Sequence, residues 1–299
     1  MQKIKPDRGS RGFLAVFVLP ALLLYALFVI LPVLSGIQTS LYDWSGYSDV
    51  KTFLGLENYR ELFADKVFRQ AFCNDMVILL WKEIIILVCS VLLAALLTRR
   101  FLSRREKSAY RFILFLPCII SVVIIGILWT FVLHPNIGVL NQLLENIGLG
   151  QFAHAWLGEY STVLPSLIVI ACWAGIGLFM ITMVAAMNDV PEELYEAARI
   201  DGAGEWRQLF SVTLSMIWEQ TKFVIITVLY TTLNMNFVIV MATTGGGPNY
   251  RSEVMGSYIY RFAFSVNRAG YASAAAVVLF VVSTGMALLV RFLMDRKED

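Results

Sequence analysis

The amino-acid sequence predicts an all-α membrane protein with six transmembrane helices and both termini in the cytoplasm. Three observations lead there. Of 299 residues, 58% are hydrophobic and 15% are charged, with a mean hydropathy of +0.70. Soluble domains carry roughly 25% charged residues, so this chain has too little polar material to cover a globule in water. Its apolar residues collect in six runs of about 20 residues, the length with which a helix crosses the hydrocarbon core of a bilayer. Its Lys and Arg residues alternate between dense and sparse in successive connections, as the positive-inside rule requires of a multi-pass chain.

The first helix, about 12–34, follows Lys3, Lys5, Arg8 and Arg11. It is longer than the apolar core of a signal peptide, holds Pro20 and Pro32, and leads to no small-residue cleavage site, so it is expected to be retained. The second, about 76–97, carries Lys82 and Glu83. Neighbours in sequence do not face each other on a helix, so these are not a simple ion pair, and Lys82 is expected to snorkel toward the outer headgroups. The remaining spans are expected at about 111–133, 163–187, 219–241 and 272–294. Fifteen of the 24 Lys and Arg residues fall on the side of the two termini and residues 98–111 and 188–218, against seven on the other side. The cluster Arg99, Arg100, Arg104, Arg105, Lys107 and Arg111 decides the orientation.

Several chemistries lack their residues. Cys73, Cys89, Cys118 and Cys172 show no paired spacing, and His134 and His154 are lone loop residues, so neither a disulfide framework nor a metal site is expected. No constellation of nucleophile and base suggests catalysis, and no nucleic-acid partner is expected. There is no GxxxxGK[ST] phosphate loop; Gly245-Gly246-Gly247-Pro248 is glycine-rich but lacks the lysine. If transport runs on ATP, another chain must bind ATP and magnesium.

The connection 188–218 carries the most information. Residues 188–204 read as a short helix with marked ends. Asp189 can cap it, Pro191, Glu192 and Glu193 suit a first turn, and Gly202 stands where the helix would stop in the left-handed conformation. Ala197 and Ala198 leave a shallow face onto which another protein can pack. From the residues alone the favoured reading is an amphipathic interfacial helix joining two spans. The segment from Trp206 to Met216 is expected to form a second short helix returning to the membrane.

Glu196-Ala197-Ala198, Asp201-Gly202-Ala203, Phe210 and Val212-Thr213-Leu214 resemble the cytoplasmic loop of binding-protein-dependent ABC importer permeases. One departure is Ser215, where that family has proline. Further motifs, in the family's order, resemble its maltose and oligosaccharide branch. They are Ser40-Leu41-Tyr42-Asp43-Trp44, Gly55 to Phe63, Leu116-Pro117 with Trp129, Gly138-Val139-Leu140-Asn141, Thr244 to Pro248, and Gly270 to Ala275. The resemblance implies the type I importer permease fold over residues 1–299 as one transmembrane domain in a bacterial cell membrane. It implies a second homologous permease, a cytoplasmic ATPase dimer and an extracytoplasmic solute-binding protein as partners. Glu196, Ala197, Ala198, Asp201 and Gly202 would couple the chain to the ATPase, and the cargo would be a carbohydrate, with glycerol phosphate as an alternative.

The fifth expected helix holds Tyr230, Thr231, Thr232, Asn234 and Asn236 in an otherwise apolar run. Polar side chains in a span face a bundle interior, a water-filled path or a partner. Tyr230, Thr231, Asn234 and Asn236 are expected to line the path of a sugar, with Tyr230 and Asn234 on one helix face. Gluing of helices to the partner permease is the competing reading. An ion-coupled transporter would instead need carboxylates deep in the membrane, and only Glu83 and Glu219, near span ends, are candidates.

Overall fold

A computed structural model describes residues 8–98 and 102–295; Lys3, Lys5, Arg99 and Arg100 lie outside the described residues. The chain divides into two compact units. One reaches to Ala64 and includes Ile259–Val278; the other comprises Asp65–Tyr258 and the residues from Leu279 onward.

In the first unit, α1 (Arg8–Tyr25), a π turn (Ala26–Ile30) and α2 (Leu31–Thr39) follow one another without a break. Pro32, in the first turn of α2, has no N–H for the carbonyl four residues back, and the wider turn before it absorbs that loss. None of the apolar stretch Val16–Thr39 is buried within the chain itself. The chain then turns around Asn58, whose Nδ2 donates to the carbonyls of Ser40 (2.9 Å) and Tyr42 (3.0 Å), while Ser40 Oγ meets Tyr59 Oη at 2.7 Å. Here β1 (Tyr42–Asp43) pairs antiparallel with β2 (Thr52–Phe53), Tyr42 opposite Phe53, and α3 (Glu57–Ala64) follows. The Gly270 amide donates to Trp44 O at 3.0 Å, and a Cβ at Gly270 would collide with the Tyr42 carbonyl oxygen. Arg268 grips Glu61 with both ends of its fork (2.5 and 2.6 Å) and lies over the Tyr271 ring. Its bond to the Glu61 carboxylate raises the guanidinium pKa above its ordinary value. Three motifs far apart in sequence thus form one structure.

The second unit begins with α4 (Lys66–Thr98), 33 residues and so about 50 Å long. After it come α5 (Arg104–Ile119), α6 (Val122–Val132), α7 (Val139–Asn146), α8 (Val163–Asn188), α9 (Glu192–Ile200) and α10 (Glu205–Gln208). A π turn (Leu209–Thr213) leads into α11 (Leu214–Met216) and α12 (Trp218–Thr243). The chain continues through α13 (Met255–Tyr260) to α14 (Ala269–Asp295). Ile78, Ile86 and Val91 of α4 form the core with Ile170, Met180 and Met183 of α8. Glycines permit the closest crossings: a Cβ at Gly126 would lie 2.5 Å from Ala242 Cβ, and one at Gly256 2.6 Å from Phe237 Cβ. The connection between α6 and α8 is organised by Asn141, which donates to Pro135 O and His154 O and accepts from Trp156 Nε1 at 2.7 Å.

Four helical stretches are long and apolar enough to cross a membrane as they stand: Val16–Thr39, Lys66–Thr98, Val163–Asn188 and Ala269–Asp295. Of the other two expected spans, one is broken and one lies whole within α12 but follows a bend. The expected helix 111–133 breaks between α5 and α6 by 100°. Pro117 cannot donate to the carbonyl of residue 113, and the chain leaves the helix at Ile120, whose backbone is extended. The expected fifth span begins at Trp218, after a 77° bend at Ile217 from the segment Glu205–Met216. Ser215 stands inside the last helical turn before that bend.

Candidate functional site

Three sets of residues in the second unit are candidates, beginning with the connection between α8 and α12. The helix α9 starts at Glu192 with Pro191 at its N-cap and no side-chain cap, so Asp189 does not hold the role its type suggested. The other end is as expected. Gly202 has φ +75°, the Ala203 amide bonds back to Ala198 O (2.8 Å) and the Gly202 amide to Arg199 O (3.0 Å). That pair of bonds closes the helix in a Schellman turn. Glu196, Ala197, Asp201 and Gly202 are exposed and Ala198 is half-buried, so all five expected coupling residues belong to one short helix and its cap.

Large apolar side chains surround them without cover. Ile200 is 86% exposed, and Trp206 and Phe210, stacked at 6.4 Å, are 63% and 62% exposed. Such a cluster on a polar segment marks a surface that another body covers. On its inner side α9 is held by Tyr195 Oη, 3.0 Å from Thr213 Oγ1. Behind it lies a cavity of about 770 Å³ with Thr98, Asn188, Arg199 and Gln208 in its wall.

The second set lies on α12. Thr227, Tyr230, Thr231 and Asn234 recur at three- and four-residue spacing and are all exposed or half-buried. They form a polar stripe on an otherwise apolar helix. Asn234 Nδ2 donates to the Tyr230 carbonyl at 2.8 Å, and Thr231 Oγ1 to Val228 O at 3.1 Å. Asn236 is not part of this stripe. It is 3% exposed, and its Nδ2 donates to Asp75 Oδ1 at 3.0 Å.

That bond opens the third set, which the sequence did not indicate. Asp75 Oδ2 accepts the amide of Met255 at 2.8 Å, and Asn74 Nδ2 donates to both Arg251 O (2.8 Å) and Glu253 O (2.7 Å). Asn74 and Asp75 are each 1% exposed. The loop they hold runs from Thr244, with left-handed backbone at Gly245, Gly246, Asn249 and Tyr250. A Cβ at Gly246 would strike the buried Glu253 carboxylate, and the φ of +91° there also favours glycine. Lys82 also departs from expectation: it is 6% exposed, turned into the protein rather than extended along its surface. Glu219 is paired with Lys222 at 2.6 Å.

Comparison with known proteins identifies the family of the chain. Residues 86–299 match the family model of the binding-protein-dependent transport system inner membrane component. A probable ABC transporter permease protein, YurN of Bacillus subtilis, is 38% identical over 292 residues, covering 95% of this chain and 97% of that one. The diacetylchitobiose uptake system permease protein NgcF of Streptomyces coelicolor is 32% identical over 302 residues, covering 99% and 85%. A crystal structure of a bacterial alginate ABC transporter in complex with alginate pentasaccharide-bound periplasmic protein contains a chain of the same fold. Its TM-score is 0.84 with 24% identity, over 99% of this chain and 98% of that one. The chain therefore belongs to the family of binding-protein-dependent transport system inner membrane components, the membrane-embedded permeases of ABC importers.

Proposed function

We propose that this chain forms half of the membrane pathway of an ATP-driven importer of carbohydrates and couples that pathway to an ATPase subunit. The observation that carries the reading is α9, a capped helix whose docking residues Glu196, Ala197, Ala198, Asp201 and Gly202 adjoin the uncovered Ile200, Trp206 and Phe210. Residues 1–299 act as one transmembrane domain, with both termini and the 188–218 connection cytoplasmic, as the Lys and Arg distribution supports.

The domain pairs with a second homologous permease, a cytoplasmic ATPase dimer that binds ATP and magnesium, and an extracytoplasmic solute-binding protein. The loaded binding protein docks outside, closure of the ATPase dimer pulls on α9, and the spans reorient to release the cargo inward. The Tyr230, Thr231 and Asn234 stripe lines the path, offering hydroxyls and an amide for sugar hydroxyls and a ring for a sugar face. Asn236 supports the path from behind through Asp75. The stripe holds no Lys or Arg, which favours a neutral carbohydrate over glycerol phosphate. The diacetylchitobiose uptake named for one relative supports the same class.

The test is reconstitution with the partner permease, ATPase and binding protein in proteoliposomes, measuring ATP-dependent uptake of labelled oligosaccharides. Tyr230→Ala with Asn234→Ala is expected to lower uptake about tenfold, a loss comparable to one or two hydrogen bonds, with binding-protein affinity for the sugar unchanged. If the pair of substitutions instead releases the partner permease and leaves uptake by surviving complexes normal, the stripe is helix glue and not path.

A further inference from the structure

The buried set around Asp75 does more than fill the seam between α4 and α12. Asp75 lies opposite Asn236, and Leu79, one turn further along α4, packs with Leu229 and Leu233, one to two turns earlier on α12. The two helices are therefore antiparallel with a defined register. Tyr230 lies six residues from Asn236, about 9 Å along the same axis. Below this seam Leu79, Leu229 and Leu233 hold the helices by apolar contact alone, so packing does not need a carboxylate above it. A buried carboxylate is expensive unless its oxygens find donors. Here each oxygen has a different one: the amide of Asn236 on α12 and the backbone N–H of Met255 at the base of the loop.

The loop itself has two characters. Its tip, Asn249 and Tyr250, is exposed; its base, Ser252 to Met255, is buried. From α4, Asn74 and Asp75 grip this base through its backbone atoms. Asn74 binds two carbonyls and Asp75 one amide, so the grip fixes the path of the chain whatever side chains the tip presents. Asp75 touches both the loop and α12, and neither bond survives a one-residue slip of either element. Displacement of the loop base must move α12 or break a buried hydrogen bond.

We propose that Asp75 is a positioning residue that locks the base of the 244–255 loop to α12, so that a protein docking on the loop tip sets the placement of the Tyr230–Asn234 stripe. This rests on the proposed function above, in which the stripe lines the path and the binding protein docks outside, the side on which the Lys and Arg distribution puts the 244–255 loop. The pairing allows a test by exchange. Asp75→Asn alone turns an N–H₂ toward one of two donors, and Asn236→Asp alone sets two carboxylates face to face. With both substitutions, the new amide at position 75 donates to the new carboxylate at position 236 and still accepts from Met255 N.

The experiment uses the complete transporter in proteoliposomes with its sugar-loaded binding protein. Two quantities are read: the ratio of stimulated to basal ATPase rate, and amide hydrogen exchange across 246–255. Each single substitution is expected to lower the ratio about tenfold, within the usual range of coupling between sites, and to raise exchange in the loop. The double exchange restores both to within about twofold. Assembled single variants that keep the full ratio, whatever their melting temperature, overturn the proposal, since a structural role alone moves stability and not coupling. A double variant that assembles yet shows no recovery also overturns it. An unsubstituted complex that the loaded binding protein does not stimulate overturns the transport reading instead, and unprotected 246–255 amides in that complex overturn the lock independently.

Discussion

Gly177→Val is expected to abolish recovery of folded protein, and Gly177→Ala to lower the melting temperature by several degrees. A Cβ at Gly177 would overlap the Leu114 carbonyl oxygen and lie 2.7 Å from Phe115 Cα and 2.9 Å from Leu114 C. All three are backbone atoms, so no rotamer change relieves the clash and α5 must move bodily off α8. Overpacking a tight interior costs about 1–3 kcal/mol even where side chains can adjust, and here they cannot. In lipid the loss goes further, because helix association there relies on close packing and not on the expulsion of water. Fluorescence-detected size exclusion and a thermal ramp measure it. Gly285→Ala on α14 is the matched control: nothing lies within 4 Å of its new Cβ, and alanine in a helix is about 1 kcal/mol better than glycine. A Gly177→Val protein as stable as this control would show that α5 and α8 do not meet closely there.

Ala197→Trp is expected to leave the fold intact and remove transport. Ala197 is exposed on α9, so an indole there meets no part of its own chain, and the melting temperature should hold within about 1 °C, as for surface substitutions generally. Seated against an ATPase, the same ring holds α9 away from the surface that Ile200, Trp206 and Phe210 would otherwise fill. Central residues of such an interface carry 2 kcal/mol or more each. Uptake should therefore fall on the order of 100-fold, and the ATPase subunit should no longer co-purify in mild detergent. Normal uptake with Ala197→Trp would remove α9 from the coupling path.

Features that depend on neighbouring residues were readable beforehand. The cap at Gly202 is one, since a left-handed stop needs only a glycine after the last helical turn. The apolar runs are another. The break inside the third run was not readable, because averaging hydropathy over a span is blind to where the backbone stops being helical: Ile119, Ile120 and Val122 carry the apolar run across it. The bend at Ile217, by contrast, falls between the expected short helix Trp206–Met216 and the expected span 219–241. The start of α4 was read ten residues late for a related reason. Lys66, Arg69, Asn74 and Asp75 look like a loop in sequence, yet the last two turn inward, where Asn74 donates to two carbonyls and Asp75 accepts from two donors. Asp75 and Asn236 are 161 residues apart, and no spacing rule connects them. A polar residue within a span, Asn236, and an acid just before another, Asp75, were the available signals, and neither points to the other.

The polar cavity behind α9 has a consequence in terms of water. At about 770 Å³ it has room for water molecules on the order of tens, and Arg199, Gln208 and Thr98 in its wall give them partners. A helix pressed inward across that space must expel them; one drawn outward must admit more. The stroke of α9 in the proposed mechanism is then also a hydration step, and its energy depends on the activity of water. Sugars and polyols excluded from the cavity favour its smaller form, so the osmotic pressure of the solution would act as a weight on the same lever that the ATPase pulls in the proposed mechanism.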